Sequence, residues 1–223
     1  MAQLLYETAR AGRFGQLTFV QAQGPWWRDQ AYYDTSEWKG TWSLDGGGAL
    51  MNQGIHSVDL LQWIVGSPVE EVSGRIATLA HERIEVEDTA AATLRFANGA
   101  LGTLACTTSM WPGHFRTLTI SGTEGTAVLA DERLLVWRFT EEDARDEQIR
   151  AELQGLPGEG VGASSPSAGV TSEGHRRVFE AFLAALDDGR TPDIDGVASR
   201  VAVSIIEAIY QSAKQGGMPV VPS

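Results

Sequence analysis

The chain has 223 residues, enough for one large domain or two small ones and for a core that needs no metal or disulfide staple. Apolar residues make up 43% and charged residues 21%, an ordinary globular balance, while 29 acidic against 17 basic residues give a formal charge of -12. That charge disfavours nucleic acid and anionic membranes as partners, though it leaves room for a local basic pocket.

In chain order, Ala2 to Ala11 has helical spacing and stops at Gly12 and Gly15. Gln16 to Gln23 alternates as a strand, with Leu17, Phe19 and Gln21 on one face and Val20 and Ala22 on the other. Gly24 to Thr41 is irregular and aromatic. Asp45-Gly46-Gly47-Gly48 leads into a helix from about Ala49 to Val65, ended by Gly66-Ser67-Pro68. Strands are then expected at Val69–Ala80, Thr89–Phe96, Ala100–Ser109, His114–Ser121, Thr126–Leu129 and Leu134–Phe139, with Asn98-Gly99 as a hairpin turn. Residues 141–174, acidic and then rich in Gly, Pro and Ser, read as a long loop or partly disordered insert. Helices at His175–Leu186 and about Val197–Lys214 finish the chain. The expected class is α+β: an open, mainly antiparallel sheet in one domain, 1–223, with helices on one face and the other face available for oligomerisation. A single cysteine, Cys106, and the lack of an apolar run near the roughly 20 residues needed to span a bilayer make a cytoplasmic location the default expectation.

The glycine-led helix carries the sharpest chemical signal. Asn52, His56, Asp59 and Trp63 follow one another by four, three and four residues and line one stripe, opposite Leu50, Ile55, Val58 and Leu61. An imidazole in a polar cleft suits proton transfer near neutral pH. A His–Asp pair that only braces the helix has the same spacing. Upstream, Trp27, Arg28, Tyr32, Tyr33 and Lys39 offer rings, hydroxyls and cations that grip sugars and their charged groups, or else a cover packed on the core. Gly46 to Gly48 would let backbone approach a ligand closely.

Other candidates carry less. Gly158-x-Gly160-x-x-Ala163 fits a dinucleotide fingerprint in letters but follows no strand and enters no helix. His81 and His114 have no Cys or His partner at metal-ligand spacing, so no metal is expected, and a metal-assisted hydrolase of His56, Asp59 and His114 has no spacing support. Ser57 lacks a nucleophile elbow. Glu85, Glu87 and Asp88 read as a solvated strand end.

The run Trp38-Lys39-Gly40-Thr41-Trp42, followed by Gly46-Gly47-Gly48-Ala49-Leu50-Met51-Asn52-Gln53-Gly54-Ile55-His56-Ser57-Val58-Asp59-Leu60-Leu61, resembles the substrate-domain signature of the glucose–fructose oxidoreductase / inositol dehydrogenase (Gfo/Idh/MocA) family. The likeness extends through Glu87-Asp88-Thr89, Gly122-Thr123-Glu124-Gly125 and the closing helices around His175 and Tyr210. It implies a C-terminal substrate and oligomerisation domain of an oxidoreductase whose N-terminal Rossmann domain binds NAD or NADP. His56 then matches the family histidine that exchanges a proton with a substrate hydroxyl, and Asn52 replaces a frequent acidic residue. The stretch Trp27-Arg28-Asp29-Gln30-Ala31-Tyr32-Tyr33 is similar to members acting on nucleotide-linked sugars. The resemblance therefore implies His56 as catalytic residue, with Trp27, Arg28, Tyr32, Tyr33, Lys39, Asn52 and Asp59 binding a sugar, cyclitol or nucleotide sugar. The Rossmann glycines and the family's Glu-Lys-Pro lysine have no counterpart here. No cofactor is expected to bind this chain alone, the isolated chain is expected to be inactive, and a Rossmann partner is expected in cis or trans. A homodimer or tetramer is expected through the sheet. The competing reading is a non-enzymatic dimeric binding or assembly module descended from such an enzyme.

Overall fold

The structure, a computed structural model, describes residues 1–131, 133–152, 173–192 and 194–223. Helix α1 (Ala2–Arg10) leads into strand β1 (Leu17–Pro25), and a short helix α2 (Gln30–Asp34) interrupts the aromatic segment. A π-helical turn (Ala49–Gly54) runs into α3 (Ile55–Val65). Strands β2 (Val69–Ala77), β3 (Thr89–Phe96), β4 (Leu101–Thr107), β5 (Thr117–Gly122), β6 (Gly125–Ala130) and β7 (Arg133–Phe139) follow. Helices α4 (Ala144–Glu152), α5 (Glu173–Asp187) and α6 (Gly196–Lys214) end the chain.

The strands form one open sheet in the order β2-β3-β4-β1-β5-β6-β7. The first strand is threaded into the middle, parallel to β4 and antiparallel to β5, and every other pairing is antiparallel. This is the expected α+β class. Alternation decides which face is covered: Ala90, Ala92, Leu94 and Phe96 of β3 point inward while Ala91, Thr93 and Arg95 stay exposed. Val20, Val72, Leu94 and Leu104 share a core with Leu61 and Ile64 of α3 and Ile205 and Ile209 of α6. Each such side chain contributes about 1.5–3 kcal/mol on burial. On the opposite face, Gln21, Arg75, Thr93, Thr103 and Ala105 line an open groove of about 510 Å³.

Helix α3 ends as its sequence dictates. Gly66 takes a left-handed φ of 62° and its N–H returns to the Gln62 carbonyl. Strand β2 stops at Ala77, short of the expected Ala80, because the N–H groups of Leu79, Ala80 and His81 turn to the Asp88 carboxylate instead of a neighbouring strand. The expected loop over 141–174 begins instead with α4. Its Asp146 is wholly buried, accepting from Trp137 Nε1 at 2.7 Å and from Arg13 at 3.1 and 2.8 Å. Burial opposes the charge, but the Arg13 guanidinium and the other donors hold this carboxyl at about 2. Residues 153–172, with the Gly158 fingerprint, lie outside the described residues. No helix among the described residues is long and apolar enough to cross a membrane.

Candidate functional site

The site forms where the C-terminal ends of β1 and β4 emerge beside the N-terminal end of β3. Beneath it lies Glu87, whose carboxylate is 2% exposed. Oε2 accepts from the Gly48 N–H at 3.0 Å; Oε1 accepts from the Leu50 N–H at 2.8 Å and from the Tyr210 hydroxyl at 2.9 Å. The Glu87 carbonyl takes the Ala49 N–H as well. One acidic residue therefore satisfies three consecutive donors at the start of the helix, where the dipole favours negative charge. Burial pushes the carboxyl above its usual range, against these donors, and it pushes the Tyr210 hydroxyl up too.

This overturns one expectation. Glu87 and Asp88 are not a solvated strand end; only Glu85 of the three is exposed. Two of the three glycines, Gly47 and Gly48, serve internal packing, while Gly46 has room for a Cβ. A Cβ at Gly48 would sit 1.8 Å from the Glu87 carbonyl oxygen, and one at Gly47, which has φ 159°, would sit 2.2 Å from the Tyr210 hydroxyl. With those N–H groups already occupied, this glycine-led helix start is not a cradle for a dinucleotide pyrophosphate, and the described residues contain no strand–glycine loop–helix unit of that kind.

Asp88 positions the aromatic segment. It accepts from the N–H groups of Leu79, Ala80 and His81 and lies 3.1 Å from His81 Nδ1. Burial raises this carboxyl, but the backbone donors outweigh it and keep it below the usual carboxylate range. The other ring nitrogen of His81 meets the Arg28 carbonyl at 2.9 Å, and the ring packs on Tyr33 at 4.8 Å. Tyr33 is 5% exposed, its hydroxyl 2.9 Å from Thr108 Oγ1, and burial pushes it up to about 12. Its hydroxyl thus fastens α2 to the end of β4. Tyr32, on the other side of α2, is half-buried at the site, with Lys39 Nζ 3.9 Å and Arg28 Cζ 5.2 Å from its ring centroid. Trp27 stands apart, edge-on to Trp111 at 4.6 Å.

The stripe of the central helix divides. Asn52 donates to Asp45 Oδ1 at 2.7 Å; Gln53 donates to Asn52 Oδ1 at 2.9 Å and to the Tyr32 hydroxyl at 3.3 Å. These four residues form a polar chain joining the wide π-helical turn to the cation-flanked tyrosine. His56 follows with an exposed ring. Asp59 and Trp63 turn towards α1, where Trp63 stacks flat on Tyr6 at 4.0 Å. Asp59 lines a hollow of about 660 Å³ with Tyr6, Gln62, Trp63 and Ile194. Burial raises its carboxyl, and the neighbouring His56 works against that rise. The structure thus brings Arg28, Tyr32, Lys39 and Asn52 together, with His56 on the next turn, and keeps Tyr33 inside and Asp59 in an adjoining hollow. Gln53, Asp45, Glu87 and His81 escaped sequence reasoning. The one available signal was apolar Val86, set in phase with Asp88 just before a clean strand.

Replacing Glu87 by Gln leaves one amide N–H₂ facing a backbone donor. This should cost about 1–3 kcal/mol in urea unfolding at neutral pH, with Gly48→Ala costing more. Because the folded pKa of Glu87 lies above its unfolded value, its contribution is full below the unfolded value and is lost as pH rises through the folded one. The gap between wild type and Glu87→Gln should therefore narrow as pH is raised, and equal stabilities at every pH would show that the carboxylate is no anchor.

The model of the GFO/IDH/MocA C-terminal domain matches residues 2–128. The WlbA dehydrogenase from Bordetella pertussis, solved in complex with NADH and UDP-GlcNAcA, is 36% identical with a TM-score of 0.83, over 98% of this chain and 60% of that one. Inositol 2-dehydrogenase 2 of Paenarthrobacter aurescens (strain TC1) is 27% identical over 76% of this chain and 47% of its own length. Levoglucosan dehydrogenase, in complex with NADH and levoglucosan, shares the fold at 22% identity and a TM-score of 0.76. The chain thus spans roughly half to three fifths of these relatives, and it belongs to the GFO/IDH/MocA C-terminal domain family.

Proposed function

We propose that residues 1–223 are the substrate-binding and oligomerisation domain of an NAD(P)-dependent oxidoreductase acting on a hydroxyl of a nucleotide-linked sugar. The observation that carries this reading is the exposed His56 ring one helical turn beyond Asn52, whose amide is tied through Gln53 to the Tyr32–Lys39–Arg28 cluster. The Bordetella pertussis relative, with its NADH and UDP-GlcNAcA, supports the substrate class. The nicotinamide supplies the hydride acceptor when a nucleotide-binding unit holds it. This chain grips the substrate and moves a proton. His56 accepts the proton of the reacting hydroxyl, Asp59 one turn on stabilises the imidazolium that results, and Arg28 and Lys39 offset ligand charge.

The nucleotide-binding unit has a seat of the right character. Phe179, Phe182, Leu183 and Leu186 of α5 are exposed, as are Val197 of α6 and Ile194, the last lining the hollow beside Asp59. About two fifths of the Bordetella pertussis chain has no counterpart here, and these exposed apolar side chains are assigned to the docking of such a unit. The Thr-rich open face of the sheet is assigned to self-association. The chain's single cysteine, Cys106, has no partner for an internal disulfide, which suits the proposed cytoplasmic location.

The test is a fusion of this chain behind the nucleotide-binding part of the Bordetella pertussis relative, assayed for NADH formation from UDP-GlcNAcA. His56→Ala should lower kcat about 10²–10⁴-fold with substrate affinity little changed, and an unchanged kcat removes His56 from the reaction. In the same fusion, Phe179→Asp with Leu183→Asp should lower the melting temperature while the isolated chain, altered in the same way, melts as before. Equal losses in both would place the cover of α5 within this chain.

A further inference from the structure

One group at the site end takes no part in that mechanism. Trp27 leaves β1 and Trp111 lies in the connection from β4 to β5, and their rings meet at 4.6 Å with planes 83° apart. Two perpendicular indoles make a corner. Its backbone is held on both sides: Trp27 bridges to Ser109, the Met110 N–H donates to the Trp26 carbonyl at 3.1 Å, and the His114 N–H donates to the Pro25 carbonyl at 2.8 Å. Yet Trp111 is 71% exposed and Met110 beside it 47%. A large apolar ring turned to water on a well-tied loop, at the same end of the sheet as the site, points to a ligand.

The order of groups along the site says which part of a ligand. The polar chain of Asn52, Gln53 and the Tyr32 hydroxyl stands next to His56. Beyond it come the cations around the Tyr32 ring, Lys39 and Arg28, in a chain whose net charge is -12. Arg28 also donates to the Trp27 backbone carbonyl at 3.0 Å, so the cation and the indole leave neighbouring positions of one tied segment. Hydroxyl-binding groups, then positive charge, then a flat apolar face is the sequence of a sugar, a diphosphate and a planar base. We infer that the Trp27–Trp111 corner is the stacking seat for the nucleobase of the substrate, so that the enzyme takes nucleoside-diphosphate sugars in preference to free sugars. This rests on the reading of the His56 region as a sugar site and deepens it.

UDP and free glucuronic acid are titrated separately into the full chain, by calorimetry and by tryptophan quenching. UDP should bind and quench, Trp111→Ala should weaken it about tenfold, as loss of one base–aromatic stack does, and Trp111→Phe should restore most of the affinity. His56→Ala should leave UDP binding as it is. UDP affinity unchanged in Trp111→Ala overturns the corner while the sugar site stands. Glucuronic acid binding with no UDP binding at millimolar concentration overturns the corner alone, and failure of both ligands to bind overturns the sugar reading with it. A Trp111→Ala chain that instead changes its sedimentation coefficient would show that the indole faces another copy, and would also overturn the seat.

Discussion

The carboxylate of Glu87 is the constraint on which the site depends. A helix that begins inside a protein leaves its first N–H groups without partners, and burying them bare would cost a few kcal/mol. Here an internal anion occupies the place that a phosphate holds in nucleotide-binding helices. The arrangement fixes the start of the π-helical turn against β3 and β4 and thereby sets where Asn52, Gln53 and His56 emerge. Two glycines follow from it, because side chains at Gly47 and Gly48 would collide with Tyr210 and with the Glu87 backbone.

A second acid, Asp88, does the corresponding work for the aromatic segment. Glu87 and Asp88 are neighbours whose side chains go to opposite jobs, as alternation along an extended chain requires. One organises a helix start; the other gathers a turn of backbone N–H groups and, through His81, holds the carbonyl of Arg28. The binding surface is thus suspended from two adjacent residues at the head of one strand. The two halves of the site are then joined across their top by Gln53, which donates to both Asn52 and Tyr32.

Much of the scaffold was legible in the sequence because period-two alternation and Gly-Pro punctuation are local. Residues 89–96 read directly as a strand, and Gly66 as a helix end. The exposed ring of His56 was legible too, since a stripe of polar residues on a helix with an apolar opposite side has to face away from the core. What escaped depended on contacts distant in the chain. Acidic residues near a strand end are usually solvated, so nothing local revealed that Glu87 meets Tyr210, more than half the chain away. Tyr33 and Tyr32 are adjacent and chemically alike, and only the position of Thr108 decides which hydroxyl is spent inside and which stays at the site. A run of glycines likewise does not say whether the close neighbour is a ligand or the protein itself.

The threading of β1 between β4 and β5 has a consequence for biosynthesis. Its partners are separated from it by the whole of α3, β2 and β3, so the central pairing is non-local and closes a long loop of chain. During translation the first strand must wait, unpaired at both edges, until β4 has left the ribosome. The indole corner, built from the ends of these two strands, cannot exist before then. Assembly of the ligand surface is therefore a late event in the life of the nascent chain, and the interval before it is when an exposed strand edge is open to capture by chaperones or by another copy.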